Sequence, residues 1–218
     1  VRGVLLQMAC RLILVRHGEA EGNRGSPRWL GWTDVPLNSA GMAQAEAVAE
    51  ALSKEKIAAV YSSDLRRATA TAERIAKRHL LPVNKRFELR EVNYGEWEGL
   101  TEEECRHRNP SLFEQRSCDP ENVPPPGGES YRQMMERFLP TVAEIASRHG
   151  GESVVIVTHH GNIRVLLCDV MQIPRNRYRS FEICNGSLTE LINDNEKFVV
   201  RRINDISHLS QGSERDCL

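Results

Sequence analysis

The sequence predicts an α/β domain built on a largely parallel sheet. Three observations carry that expectation. Its strongest apolar runs are short, continuous and rich in branched residues, as in strands buried on both faces. Helical patterns fill the gaps between them, the alternation expected of a parallel sheet with crossover helices. The length of 218 residues, with 40% hydrophobic and 27% charged, suits one domain with its own core.

Taken in order, Leu12 to Val15 reads as the first buried strand. A helix is expected from near Ser39, with Met42, Ala45, Val48 and Leu52 on one face. Ile57 to Tyr61 is the second strand, and Asp64 reads as the N-cap of the helix after it. That helix aligns Leu65, Ala68, Ala72, Ile75 and Ala76 in one stripe, and Pro82 to Phe87 is a weaker strand. A third helix is expected from Ser130, kinked at Pro140 and ended by Gly150 and Gly151. Val154 to Thr158 is a further buried strand, followed by a helix from Gly161 through Val170. Leu188 to Ile192 and Phe198 to Ile203, separated by Asn193, Asp194 and Asn195, read as a hairpin.

One stretch breaks the alternation. From Thr101 to Gly128 the chain is acidic, then dotted with arginine, then proline-rich, and it reads as short helices and a loop forming a lid (about 101–130). The whole chain, 1–218, is expected to be one domain, with residues 1–8 dispensable and about 208–218 a loose tail.

A net charge of −1 gives no electrostatic case for nucleic acid or an anionic membrane. No apolar run approaches the ~18 residues of a membrane span, and the first residues lack the small-residue cleavage site of a secretory leader. The six cysteines show neither a CxxC pair nor metal-finger spacing, so free thiols and a cytoplasmic location are expected. Of 29 basic residues 24 are arginine, the better fork for phosphate oxygens, although codon bias would give the same excess.

In open α/β sheets ligands gather at the carboxyl ends of the strands. There the sequence offers Arg16-His17-Gly18-Glu19, then Ser62-Ser63-Asp64-Leu65-Arg66-Arg67-Ala68. The weak third strand leads into Leu89 to Gly99, which contains Arg90-Glu91, and the Val154 strand ends in His159-His160-Gly161-Asn162-Ile163-Arg164. Two histidines, two arginines and a carboxylate on one sheet edge suggest a dianion pocket with a nucleophile and a proton donor. Cys10 and Arg16 satisfy the C-x5-R spacing of cysteine-dependent phosphatases, but the residues between them read as a strand rather than a phosphate loop.

Those four segments, RHGE, SSDLRRA, LREVNYGEWEG and VTHHGNIR, closely resemble the histidine phosphatase superfamily, also called phosphoglycerate-mutase-like, in kind and order. The resemblance spans Leu12 to about Ile203 and implies a three-layer sandwich, its mostly parallel central sheet flanked by helices. It implies a phosphomonoester hydrolase working through a phosphohistidine at His17. Arg16, Arg67 and His159 would then hold the phosphoryl group, with Glu91 as general acid and Asn23 as a further phosphoryl contact. Glu19, Gly31 and His160 are carried as further substrate-binding candidates. Gly31 matches a glycine of the mutase branch, and His160 stands where the family usually has a small residue.

No metal or other cofactor is required, because the arginines supply the charge. The expected partner is a small phosphomonoester (a sugar phosphate, a phosphoglycerate, phosphoserine or α-ribazole phosphate), with no nucleic acid and no membrane; a homodimer is allowed. A cofactor-dependent phosphoglycerate mutase is the alternative, since it shares the core residues. The compact stretch between Glu91 and His159 favours the phosphatase. The lid residues Arg106, Arg108 and Arg116 are open between substrate recognition and solvated surface. Whether the Glu91 carboxyl is raised by an anionic substrate or lowered by the arginines is also open at this level.

Overall fold

The computed structural model describes residues 9–22, 27–194 and 197–209. The expected dispensable start, most of the expected tail, Asn23 and the turn residue Asn195 lie outside the described residues. Six strands, β1 (Cys10–Arg16), β2 (Ile57–Ser63), β3 (Val83–Arg86), β4 (Ser153–Thr158), β5 (Leu188–Asp194) and β6 (Lys197–Asp205), form one sheet in the order β3-β2-β4-β1-β5-β6. The β3-β2, β2-β4 and β4-β1 pairs are parallel, while β5 runs antiparallel to β1 and β6 antiparallel to β5. The result is the expected mostly parallel sheet, closed on one side by the expected hairpin.

The run Leu12 to Val15 is continuous because it serves two cores. Leu12 and Leu14 face a cluster with Met134, Phe138, Ile163 and Leu167. Ile13 and Val15 face another, with Val48, Leu52, Ala68, Ala72 and Ile75. The first belongs to α5 (Tyr131–Arg148) and α6 (His160–Val170), the second to α1 (Ser39–Leu52) and α2 (Arg66–His79). Helices therefore cover both faces, giving three layers. The lid segment forms α3 (Glu102–Arg108) and α4 (Pro110–Cys118), whose Cys105 and Phe113 join the α5 and α6 side.

Helix starts follow local chemistry. The Asn38 side chain caps α1 by accepting from the Gly41 amide at 2.8 Å, worth about 1 kcal/mol. Thr101 and Ser130 open α3 and α5 with capping boxes completed by Glu104 and Gln133. Asp64 does not cap α2, contrary to the sequence reading. Its carboxylate is taken by the Arg90 guanidinium in two bonds of 2.6 and 2.7 Å, and α2 begins after Leu65 with no side-chain cap. A two-pronged charged bond is stronger than one cap bond, so tertiary pairing wins. Pro140 lies within α5, which runs unbroken to Arg148. Cys10, Cys105, Cys118 and Cys168 are free as expected, whereas Cys184 is disulfide-bonded. Among the described residues no helix is long and apolar enough to cross a membrane.

The turn after β1 rests directly on α1. A Cβ at Gly18 would overlap the backbone of Gly41, and one at Gly41 would overlap that of Glu19. Backbone cannot yield as a flexible side chain does. Gly18→Ala is therefore expected to cost about 1–3 kcal/mol, read as a lower urea midpoint. An unchanged midpoint would contradict this packing.

Candidate active site

The carboxyl ends of β1, β2 and β4 lie side by side and deliver Arg16, Ser63 and Thr158, with His17 and His159 immediately beyond. Glu91 arrives on the loop after β3 and Arg67 in the first turn of α2. All of Arg16, His17, Arg67, Glu91 and His159 are buried. So much buried charge and polarity in one place needs partners, and backbone groups supply many of them.

The His17 ring is held at both nitrogens. Nδ1 lies 2.7 Å from the Gly18 carbonyl oxygen, and the Arg67 Nε–H points at Nε2 from 3.2 Å. A carbonyl can only accept and a guanidinium can only donate, so the proton sits on Nδ1 and the lone pair on Nε2. Burial, then the charges of Arg67 and Arg16, push the imidazolium well below its ordinary range, so His17 is neutral at pH 7. The His159 ring meets it edge-on, centroids 4.9 Å apart at 64°. His159 is likewise driven down by burial and by Arg67, and its Nε2 is 3.0 Å from the Ser63 hydroxyl.

Arg67 is only 1% exposed, while neighbouring Arg66 faces solvent. Its Nη1 and Nη2 donate to the carbonyls of Thr33 and Gly31 at 2.8 and 2.6 Å, which aims the guanidinium edge at His17. The first turn of α2 holds no acidic residue. A cation buried against a positive helix end is unfavourable by itself, and burial lowers Arg67 to about 10. The same arrangement is what an arriving dianion requires. Arg16 donates to the Ile183 carbonyl at 2.6 Å.

Glu91 Oε1 accepts from the Val92 amide at 2.9 Å and Oε2 from the Gly161 amide at 3.1 Å, in the first turn of α6. His160 Nδ1 stands 3.1 Å from the same Oε2. Burial alone would raise this carboxyl, but His160 and the two amides outweigh it and hold it at about 2. Glu91 is therefore ionised at neutral pH, the direction the sequence left open. His160 itself is lowered by burial against the pull of Glu91, so at neutral pH it donates to the carboxylate as a neutral imidazole. Gly161 admits this approach, since a Cβ there would strike the Glu91 carboxylate.

The other candidates fall around the pocket. Gly31, at φ +48°, gives its carbonyl to Arg67. Glu19 is buried against Asn38, whose amide donates to its carboxylate. Of the lid arginines, Arg106 pairs with Glu102 and Glu114 on the surface, and Arg108 reaches the Glu96 carbonyl. Arg116 is buried, its guanidinium over the Tyr94 and Tyr131 rings at 5.7 and 5.3 Å. The thiol of Cys10 lies within β1 and burial raises it to about 11, so it is no thiolate nucleophile.

Sequence reasoning missed four supports. Arg137 on α5 donates to the carbonyls of Glu88, Arg90 and Glu91 at 2.7–2.8 Å and pairs with Glu129. Trp32 Nε1 donates to the same Glu91 carbonyl at 2.7 Å. Ser63 orients His159, and Asn185 donates to the His17 carbonyl at 2.9 Å. One signal was present: Arg137 lies three residues after Met134 and four before Thr141, inside the buried stripe of its helix.

Comparison with known proteins matches residues 12–206 to the histidine phosphatase superfamily (branch 1). Phosphoserine phosphatase 1 of Hydrogenobacter thermophilus is 32% identical over 201 residues, covering 92% of this chain and 95% of its own. Among solved structures, Bacillus stearothermophilus YhfR superposes with a TM-score of 0.86 at 33% identity, covering 92% of this chain and all of its own. A mycobacterial glucosyl-3-phosphoglycerate phosphatase superposes with a TM-score of 0.80 at 32% identity, covering 90% and 99%.

Proposed function

The chain belongs to the histidine phosphatase superfamily and is a hydrolase of small phosphomonoesters, in which we propose that His17 is the nucleophile, Glu91 the proton donor, and Arg16, Arg67 and His159 the cradle of the transferring group. One observation carries the assignment: His17 is neutral, with Nδ1–H given to Gly18 and its Nε2 lone pair facing the Arg67 guanidinium. That is the state and direction an in-line attack on a bound phosphoryl group needs.

Dianion binding raises the Glu91 carboxyl, which faces the leaving oxygen. Nε2 attacks phosphorus, the P–O ester bond breaks, and Glu91 gives its proton to the departing alkoxide. Water then attacks the phosphohistidine, its proton passes to Glu91, and the P–N bond breaks to free phosphate. The guanidinium forks stabilise charge on the equatorial oxygens in both steps. Asn23, outside the described residues, is proposed as a further phosphoryl contact. In this reading the chain, 1–218, acts as one domain, with the lid segment at about 101–130 bordering the substrate mouth.

The substrate proposed is an ester whose alcohol carries a carboxylate, as in phosphoserine or a phosphoglycerate. Buried Arg116 supports this: among the described residues its Nη2 has no hydrogen-bond partner, and its guanidinium lies over the ring of Tyr94, a phenol whose pKa Glu91 helps to raise. An unsatisfied buried guanidinium edge is costly until an oxyanion meets it.

A brief pulse of labelled phosphoserine with acid-sensitive, base-stable trapping on the protein tests the mechanism. Phosphoserine and 3-phosphoglycerate are expected to exceed glycerol phosphate in kcat/KM by about tenfold or more, a preference lost in Arg116→Met. No trapped phosphoenzyme, or mutase turnover with 2,3-bisphosphoglycerate far above phosphate release, overturns the reading.

A further inference from the structure

We infer that His160 is a positioning residue that exchanges the proton of Glu91 with solvent, so that the two side chains work as one acid–base pair. The inference rests on Glu91 being the proton donor proposed above.

The Glu91 side chain is 5% exposed and that of His160 28% exposed. Two of the three polar groups that hold the Glu91 carboxylate are backbone amides, of Val92 and Gly161, which donate but do not deliver protons. The third, His160 Nδ1 at 3.1 Å, can do both. The exposed edge of that ring thus offers a route from water to a carboxyl that water itself barely touches.

The position of His160 is otherwise a poor one for a histidine. It is the first residue of α6, where the helix end disfavours a cation. The groups bearing on it are Arg16 from β1, Arg164 one turn along α6, the neighbouring imidazoles of His17 and His159, and Glu91. Of these only Glu91 favours an imidazolium. A proton taken from water when a dianion enters is therefore held between His160 Nδ1 and Glu91 Oε2. From Oε2 it passes to the leaving alkoxide as the P–O bond breaks. The proton recovered from water in dephosphorylation returns to Glu91 and leaves through His160 when phosphate departs. Protons balance over the cycle, and no other reactant is needed.

The test compares an alkyl phosphate, whose leaving oxygen needs a proton, with an aryl phosphate of an acidic phenol, which does not. In His160→Gly the ratio of alkyl to aryl turnover is expected to fall about 10- to 100-fold. The pH profile for the alkyl ester should move, and added imidazole should restore the ratio. Aryl turnover reports that the variant is folded. An equal loss on both esters, or an unmoved ratio without imidazole rescue, overturns the inference. Glu91→Gln separates the two levels: if it keeps alkyl turnover, the reading of Glu91 itself fails. If it loses alkyl turnover while His160→Gly does not, only the role of His160 fails.

Discussion

His17→Ala is expected to reduce phosphomonoester turnover by on the order of 10⁴-fold or more, the scale of losing a covalent nucleophile, and to leave no trapped phosphoenzyme. The size follows from the site having no second group that could substitute. His159 meets His17 edge-on and is proposed to hold the phosphoryl group rather than attack it, its Nε2 lying 3.0 Å from the Ser63 hydroxyl. Glu91 is already assigned the proton, its two oxygens held by the Val92 and Gly161 amides. Alanine would also leave the Gly18 carbonyl and the Arg67 Nε–H without their partner, so a stability loss could imitate a catalytic one. His17→Gln keeps an N–H for Gly18 but has no nucleophilic nitrogen lone pair. It should match alanine in activity while recovering much of the stability. Full turnover by a folded His17→Gln protein would refute His17 as nucleophile.

Legibility of the fold and site tracked the range of the interactions involved. The two-faced burial of β1 was readable because branched residues fill every position from Leu12 to Val15, which only a strand with helices on both sides demands. The starts of α1 near Ser39 and of α5 at Ser130 were readable because their caps are local: Asn38 meets the Gly41 amide and Ser130 pairs with Gln133, each three residues along the chain. Asp64 was misread for the same reason: it has the chemistry of a cap, but its partner Arg90 is 26 residues away. The residues proposed to hold the phosphoryl group were legible as motif. What holds them was not, because Arg137, Trp32 and Asn185 act through main-chain oxygens, and no side-chain pattern marks a carbonyl that needs a donor. The charge state of Glu91 was out of reach too. It depends on two amides and on His160, which come together only when α6 packs against the loop after β3.

Arg67 should separate charge from geometry. Arg67→Lys keeps a cation but loses the planar fork that joins Thr33, Gly31 and His17; a fall of about 10²–10³ in kcat/KM is expected, the scale of removing a preorganised transition-state donor. Arg67→Met should fall further, toward the 10³–10⁵ range seen when an arginine is withdrawn from phosphoryl transfer. The two should also differ in pH dependence. In the proposed mechanism His17 must be neutral to attack, so activity is lost as pH falls through its pKa. Burial sets that value low, and Arg67 is the largest charge lowering it further. With the charge removed, the folded-state pKa of His17 rises toward 6.5, and the acid limb of kcat/KM moves up in pH. With lysine in place the limb stays where the wild type has it, although the rate is lower throughout. Should the limb stay put in the methionine variant as well, Arg67 would act on the phosphoryl group alone, and the neutrality of His17 would be the work of burial and Arg16.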